Sequence, residues 1–188
     1  MRVFVAIELP QDLKEKIFAL AEKVSRGMAI KLVEKENLHL TLAFLGEVPE
    51  EKVQEIVGVL RPSFAKASEG EGLRRVGKIC LSLGKWEPFP NKQRPHGIWI
   101  NVGGETGKLF SLYKKIIDGL LVRGFILEGE DLQFSPHITV GRLKSGGARS
   151  LEKVSLPESF VAERVTLFES RLTEKGPIYS KIGEFGVK

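Results

Sequence analysis

Apolar and polar positions along the chain mark out strands and helices in a recurring order. Residues 2–8 (RVFVAIE) are rich in β-branched and aromatic side chains and predict a strand. Pro10 marks a helix start. Leu13, Ile17, Leu20, Ala21 and Val24 follow at helical spacing, with Gly27 as the stop. Residues 37–46 (NLHLTLAFLG) predict a second strand, with His39, Thr41 and Ala43 on one face and Leu38, Leu40, Leu42 and Phe44 on the other. Pro49 opens a second helix, carrying Val53, Ile56, Val57 and Leu60 on one side. Residues 61–75 fit neither period and predict a long surface loop or an insertion.

The order then repeats. Residues 77–83 and 97–102 predict strands, joined by a loop containing Pro88, Pro90 and Pro95. Leu109, Leu112, Tyr113, Ile116, Ile117 and Leu120 predict a third amphipathic helix, ended by Gly124. Residues 135–142 (SPHITVGR) predict another strand, and 144–149 a flexible loop. Residues 165–172 and 178–185 predict a hairpin around Lys175, Gly176 and Pro177. Strand, helix and histidine-bearing strand therefore occur twice, once ending at His39 and once at His137. This predicts two related lobes, each mixing strands with helices.

The composition is that of a globular chain, with 42% hydrophobic and 28% charged residues among 188. No apolar run approaches the ~20 residues of a membrane span, and the N-terminus has no cleavage-site pattern. The one cysteine, Cys80, excludes an internal disulfide and a cysteine-based zinc finger, so the expected location is the cytoplasm. The net charge of +5 suits an anionic ligand without amounting to a polybasic tail.

The chemistry resides in the histidines. There are three, and two share one local pattern: His39-Leu40-Thr41-Leu42 and His137-Ile138-Thr139-Val140. In a strand, residues i and i+2 share a face, so each copy projects an imidazole beside a hydroxyl while the aliphatic residues anchor the opposite side. Two such faces across one cleft suit proton transfer at phosphorus. A neutral imidazole takes a proton from water, a charged one gives a proton to the leaving oxygen, and the hydroxyls bond the non-bridging oxygens. A cyclic phosphodiester fits best, because ring strain lowers the demand for a metal. The small residues Ala43 and Gly141 are expected on the cleft face, where a ligand can approach the backbone. Two His and two Thr make a poor metal set, so no metal or other cofactor is expected.

Other candidates are weaker. Arg142 offers a guanidinium for phosphate, yet its odd separation from His137 puts it on the far face unless Gly141 permits a bulge. His96, between Pro95 and Gly97, reads as a loop histidine. Residues 103–109 (GGETGKL) fail as a phosphate-binding loop on spacing and on Leu109, and read as a turn into the third helix. Trp86 and Phe89 are candidates to stack on bases, while Trp99 in an alternating strand reads as core. Arg74 and Arg75 read as a solvated loop that reaches an RNA backbone at most.

With the paired motifs and their flanks (RVFVAIELP, ENLHLTLAFLGEVP, HGIWINV, FSPHITVGRL and the late Tyr179), the chain resembles the two-histidine (2H) phosphoesterases. Within them it is most similar to the RNA 2′,3′-cyclic phosphodiesterases, also called 2′-5′ RNA ligases. The resemblance implies an α+β fold of one domain over residues 1–188, with two pseudo-symmetric, intertwined lobes of antiparallel sheet and outer helices around a central cleft. It implies hydrolysis of an RNA terminal 2′,3′-cyclic phosphate to a 2′-phosphomonoester, and the reverse joining to a 5′-hydroxyl. It implies His39 as proton donor, His137 as acceptor, and Thr41, Thr139 and Arg142 as phosphate ligands. The near symmetry of the two motifs does not by itself assign those roles. Residues 86–90 (WEPFP) depart from a simpler glycine-phenylalanine-proline pattern. A monomer acting on RNA ends, away from membranes, is expected. The competing readings are a phosphodiesterase for small cyclic nucleotides and a non-catalytic RNA-binding module.

Overall fold

A computed structural model describes residues 1–61, 77–91, 94–128, 134–144, 151, 154–174 and 176–187. Residues 62–75 of the predicted loop at 61–75, with Arg74 and Arg75, most of the loop at 144–149, and Lys175 lie outside the described residues.

The first repeat runs through β1 (Arg2–Glu8), α1 (Gln11–Val24), β2 (Ile30–Leu32) and β3 (His39–Glu47). The chain then forms α2 (Val53–Leu60) and β4 (Ile79–Phe89). The second repeat is β5 (Gly97–Gly104), α3 (Thr106–Val122) and β6 (His137–Leu143). β7 (Ser159–Ala162), β8 (Arg164–Thr173) and β9 (Gly176–Gly186) complete the chain. The fold is α+β.

The strands form one antiparallel sheet in the order β7-β4-β5-β6-β3-β1-β8-β9, with β2 beside β6. The two lobes are therefore two halves of a shared sheet. They meet at β3 and β6, where the registered pair is Leu40 with Ile138. Each half reads outward from that seam in the same way: the histidine strand, then the strand that precedes its helix, then two more strands.

Helices cover one face because their apolar stripes match it. Leu13, Ile17 and Ala21 recur every four residues on α1 and are buried, as are Leu109, Leu112, Ile116 and Leu120 on α3. Both stripes join Leu40 and Ile138 in one core. Burying each such aliphatic side chain is worth about 1.5–3 kcal/mol. The other side of β1 and β8 carries a small separate cluster of Phe4, Ala6 and Phe168, with Tyr179 packed on it.

Three local expectations are corrected. The strand expected from residue 37 starts at His39, because Lys35–Asn37 form a 3₁₀ turn. β2 and β7 were not foreseen; at three and four residues they are too short to show a period. β4 runs through Trp86 and Pro88 into the expected proline loop. Proline is tolerated there because β7 pairs only with residues 79–82, leaving the far end of β4 an open edge.

Candidate active site

The two histidine strands share their register. Glu8 pairs with His39, and Ala6 with Thr41; Asn101 pairs with His137, and Trp99 with Thr139. Beyond the threonine each strand shifts register, so Val5 faces Ala43 and Ile98 faces Gly141. One residue is extra in each copy, Leu42 or Val140, and the following side chains change face.

That bulge settles the parity of Arg142, which lies on the cleft side and lines a recess with His39, Thr41 and Thr139. It also closes off the two small positions that follow, although Ala43 still borders the recess beside His137. Ala43 packs into the core, and a Cβ on Gly141 would meet Ile30 Cδ1 at 2.8 Å. Gly97, facing the bulge, is held so close that a Cβ would sit 2.7 Å from the Gly141 carbonyl. Larger residues would push β5 and β6 apart.

The antiparallel Leu40–Ile138 pair sets His39 across from Thr139, and Thr41 across from His137, on the face away from the core. The two imidazoles stand as diagonal neighbours, which in ordinary sheet geometry are about 7–8 Å apart, within reach of long side chains. His39 Nδ1 lies 2.7 Å from the Asn37 carbonyl, and His137 Nδ1 lies 2.8 Å from the Ser135 carbonyl. A carbonyl only accepts, so Nδ1 carries the hydrogen in both rings and Nε2 is left for the cleft. The polar residue two places before each histidine was visible in the sequence, but a backbone contact leaves no compositional mark.

The surroundings of the rings differ. His39 packs against Phe4, at 4.9 Å between centroids, and edge-on to Tyr179 at 5.5 Å. Loss of water around it pushes its pKa down to about 4; the Asn37 carbonyl opposes this, and the charges of Lys14 and His137 add to it. Buried Lys14 donates to the Glu36 carbonyl at 2.8 Å, and burial lowers its own pKa. Glu8, paired with His39, accepts hydrogen bonds from Thr166 Oγ1 and Lys181 Nζ, each at 2.8 Å. His137 is stacked on Trp99 at 3.5 Å, and Trp99 on Phe89 at 3.4 Å. Burial lowers the His137 pKa as well. Burial raises that of Tyr179, against the charges of Arg142 and Arg2.

The tryptophan expectations are reversed. Trp86 is 2% exposed and belongs to the core, whereas Trp99 lines the cleft beside His137. Trp86 falls inside β4 rather than in a proline loop, and Trp99 alternates with the buried Ile98 and Ile100, so it points away from the core. Phe89 lines the cleft as expected. His96 is exposed on its loop, its N–H bonded to the Phe89 carbonyl. Among the described residues no three His, Cys, Asp or Glu side chains gather into a metal-binding group. No helix among them is long and apolar enough to cross a membrane.

Comparison with known proteins agrees with this construction. A family model for LigT-like phosphoesterases matches residues 7–99. The chain is 35% identical over 195 residues to the RNA 2′,3′-cyclic phosphodiesterase of Methanocaldococcus jannaschii, covering 98% of this chain and 100% of that one. It is 34% identical to that of Thermotoga maritima, covering 98% and 94%. The crystal structure of TT0787 of Thermus thermophilus superposes with a TM-score of 0.83 at 28% identity, covering 100% and 98%. Escherichia coli LigT complexed with 3′-AMP has the same fold, with a TM-score of 0.79 at 24% identity, covering 98% and 97%. The chain belongs to the LigT-like, two-histidine phosphoesterase family and is an enzyme, a cyclic phosphodiesterase.

Proposed function

We propose that the enzyme hydrolyses the 2′,3′-cyclic phosphate at RNA ends to a 2′-phosphomonoester, with His39 and His137 as its acid and base. The observation that supports this most is the matched pair of Nδ1 contacts to Asn37 and Ser135, which leave two Nε2 atoms for one phosphorus. The relatives named RNA 2′,3′-cyclic phosphodiesterase supply the substrate class.

His137 Nε2 takes a proton from water as the oxygen attacks phosphorus. The P–O3′ bond breaks in line, and His39 Nε2 gives its proton to O3′. The P–O2′ bond survives, so the product is a 2′-phosphate with a free 3′-hydroxyl. Thr41 and Thr139 donate to the non-bridging oxygens, and the Arg142 guanidinium balances their charge. The direction of the roles follows the family resemblance. Both rings are lowered in pKa, so the free site is mostly unprotonated at neutral pH. A bound phosphodiester anion raises both, and the proton it draws in supplies the acid. A 5′-hydroxyl in the place of water gives 2′-5′ joining by the same steps.

The test is the product formed from an oligonucleotide ending in a 2′,3′-cyclic phosphate, with excess chelator present. A 2′-phosphate end is expected. A 3′-phosphate end, or activity abolished by the chelator, contradicts the proposal.

A further inference from the structure

The cleft is larger than a phosphate needs, and its two recesses differ in chemistry. The one beside His137 has a volume of about 860 Å³. Its walls hold two stacked aromatic pairs, Phe89 on Trp99 and Tyr113 on Phe134, the latter at 4.1 Å. Its charged groups among the described residues are both acids, Glu87 and Glu128. The recess beside His39 is about 390 Å³ and carries Arg2, Lys31 and Arg142, with Glu34 as its acid.

In-line chemistry connects these recesses to the two ends of a nucleotide. When O3′ leaves, the nucleophile stands on the line from O3′ through phosphorus. In the five-membered ring of a 2′,3′-cyclic phosphate that line heads from the C3′ side toward the C2′ side of the ribose. The leaving oxygen is then on the C4′ side of the ribose, with the 5′ chain. The nucleophile is on the C1′ side, with the base. Given His39 at O3′ and His137 at the water, the base turns toward the aromatic recess and the 5′ chain toward the cationic one.

Glu87 is the polar group placed to read that base. It pairs with Trp99 across β4 and β5, so the carboxylate rises beside the indole. Asn101 Nδ2 donates to Glu87 Oε2 at 2.8 Å, and Asn101 in turn pairs with His137. This bond holds the carboxylate at the recess and leaves Oε1 to accept from a ligand. A carboxylate accepts and does not donate. Guanine presents two parallel donors, N1–H and the N2 amino group. Adenine and cytosine present one amino group each. Uracil presents one N–H between two carbonyl oxygens, which repel the carboxylate.

We propose that the recess beside His137 is a nucleobase subsite in which Glu87 selects bases by their N–H donors, guanine first and uracil last. This deepens the reading of the cleft as a cyclic phosphodiesterase and rests on its assignment of the two histidines.

The test compares kcat/KM for the 2′,3′-cyclic phosphates of guanosine, adenosine, cytidine and uridine, in the parent and in Glu87→Gln. The guanosine-to-uridine ratio is expected to be about tenfold or more in the parent and to fall toward one in the variant. Equal values for the four bases, or a ratio that Glu87→Gln leaves intact, would overturn the proposal. Absence of turnover with all four would instead refute the hydrolytic reading. Equilibrium binding of guanosine and uridine 2′-monophosphates then decides the base preference: tighter guanosine binding lost in Glu87→Gln sustains it, and equal binding overturns it.

Discussion

The His39 half and the His137 half are built alike around the backbone and unlike around the ring. Both strands carry the same imidazole-hydroxyl pair, the same Nδ1 contact two residues upstream, and the same bulge after the threonine. At the second position past the bulge they part. Arg142 pairs with Lys31 in one half, and Phe44 with Glu128 in the other. Glu8 stands across from His39 in a network with Thr166 and Lys181, while Asn101 stands across from His137 and holds Glu87. Backbone symmetry thus sets two matching imidazole-hydroxyl pairs side by side at the seam, and side-chain asymmetry gives their surroundings a cationic end and an aromatic, acidic end. An inert phosphate site would need only the first. A nucleotide has two different ends, and the second feature matches that.

The largest expected effect tests what the halves share. His39→Ala or His137→Ala should each lower kcat by about 10²–10⁴-fold, with circular dichroism unchanged, because on the proposed mechanism each removes one proton-transfer group. A tenfold or smaller loss for either would mean that one half alone carries the chemistry. Leu40→Ala, at the fully buried seam, should cost about 2–5 kcal/mol in denaturant unfolding, because the cavity opens where the halves join. A change below about 1 kcal/mol would show the seam to be mechanically unimportant.

The pH dependence separates the rings. His39 has a pKa of about 4 in the fold against 6.5 ordinarily, so the unfolded chain takes up its proton first as pH falls. The stability of the neutral, buried ring is complete above pH ~6.5 and is lost progressively toward pH ~4, by roughly 3 kcal/mol. His39→Asn should flatten that part of a stability-pH profile, and an unchanged profile would contradict the burial argument. On the proposed mechanism the singly protonated pair is the active form, and both pKa values lie below the ordinary one. Above pH ~7, kcat/KM should therefore fall about tenfold per pH unit. A flat limb would contradict the need for an imidazolium.

The smallest effect lies at the border of the two recesses. Arg2 and Glu128 form an exposed ion pair at 3.0 Å, which contributes under about 1 kcal/mol to stability. Arg2→Ala should leave the melting temperature nearly unchanged. It should also reduce the preference for a dinucleotide over a mononucleotide cyclic phosphate, since the 5′ chain runs to that side. An undiminished preference would remove Arg2 from the substrate path.

How much of this was legible in the sequence follows from which interactions have a period. The helices, the main strands and the His39–Thr41 and His137–Thr139 pairs were readable, because burial on one face imposes spacing. The side of Arg142 was not, since it depends on a bulge that no period announces. Trp86 and Trp99 exchanged places for two reasons: β4 extends through the expected loop and carries Trp86 into the core, and Trp99 alternates with the buried Ile98 and Ile100, which puts it on the opposite face. Lys31 could not be placed from the sequence, because β2 has only three residues and finds its position by pairing with β6. Glu87 and Asn101 meet only once β4 and β5 are registered, so their contact has no local signature.

The central claim is tested most directly by imidazole ¹⁵N NMR during titration with a nucleoside 2′-monophosphate. Nε2 of His39 and of His137 should shift together along one binding curve, and both rings should gain proton affinity, while their Nδ1 atoms remain bonded to Asn37 and Ser135. Movement of only one ring, or two curves with different midpoints, would contradict the account.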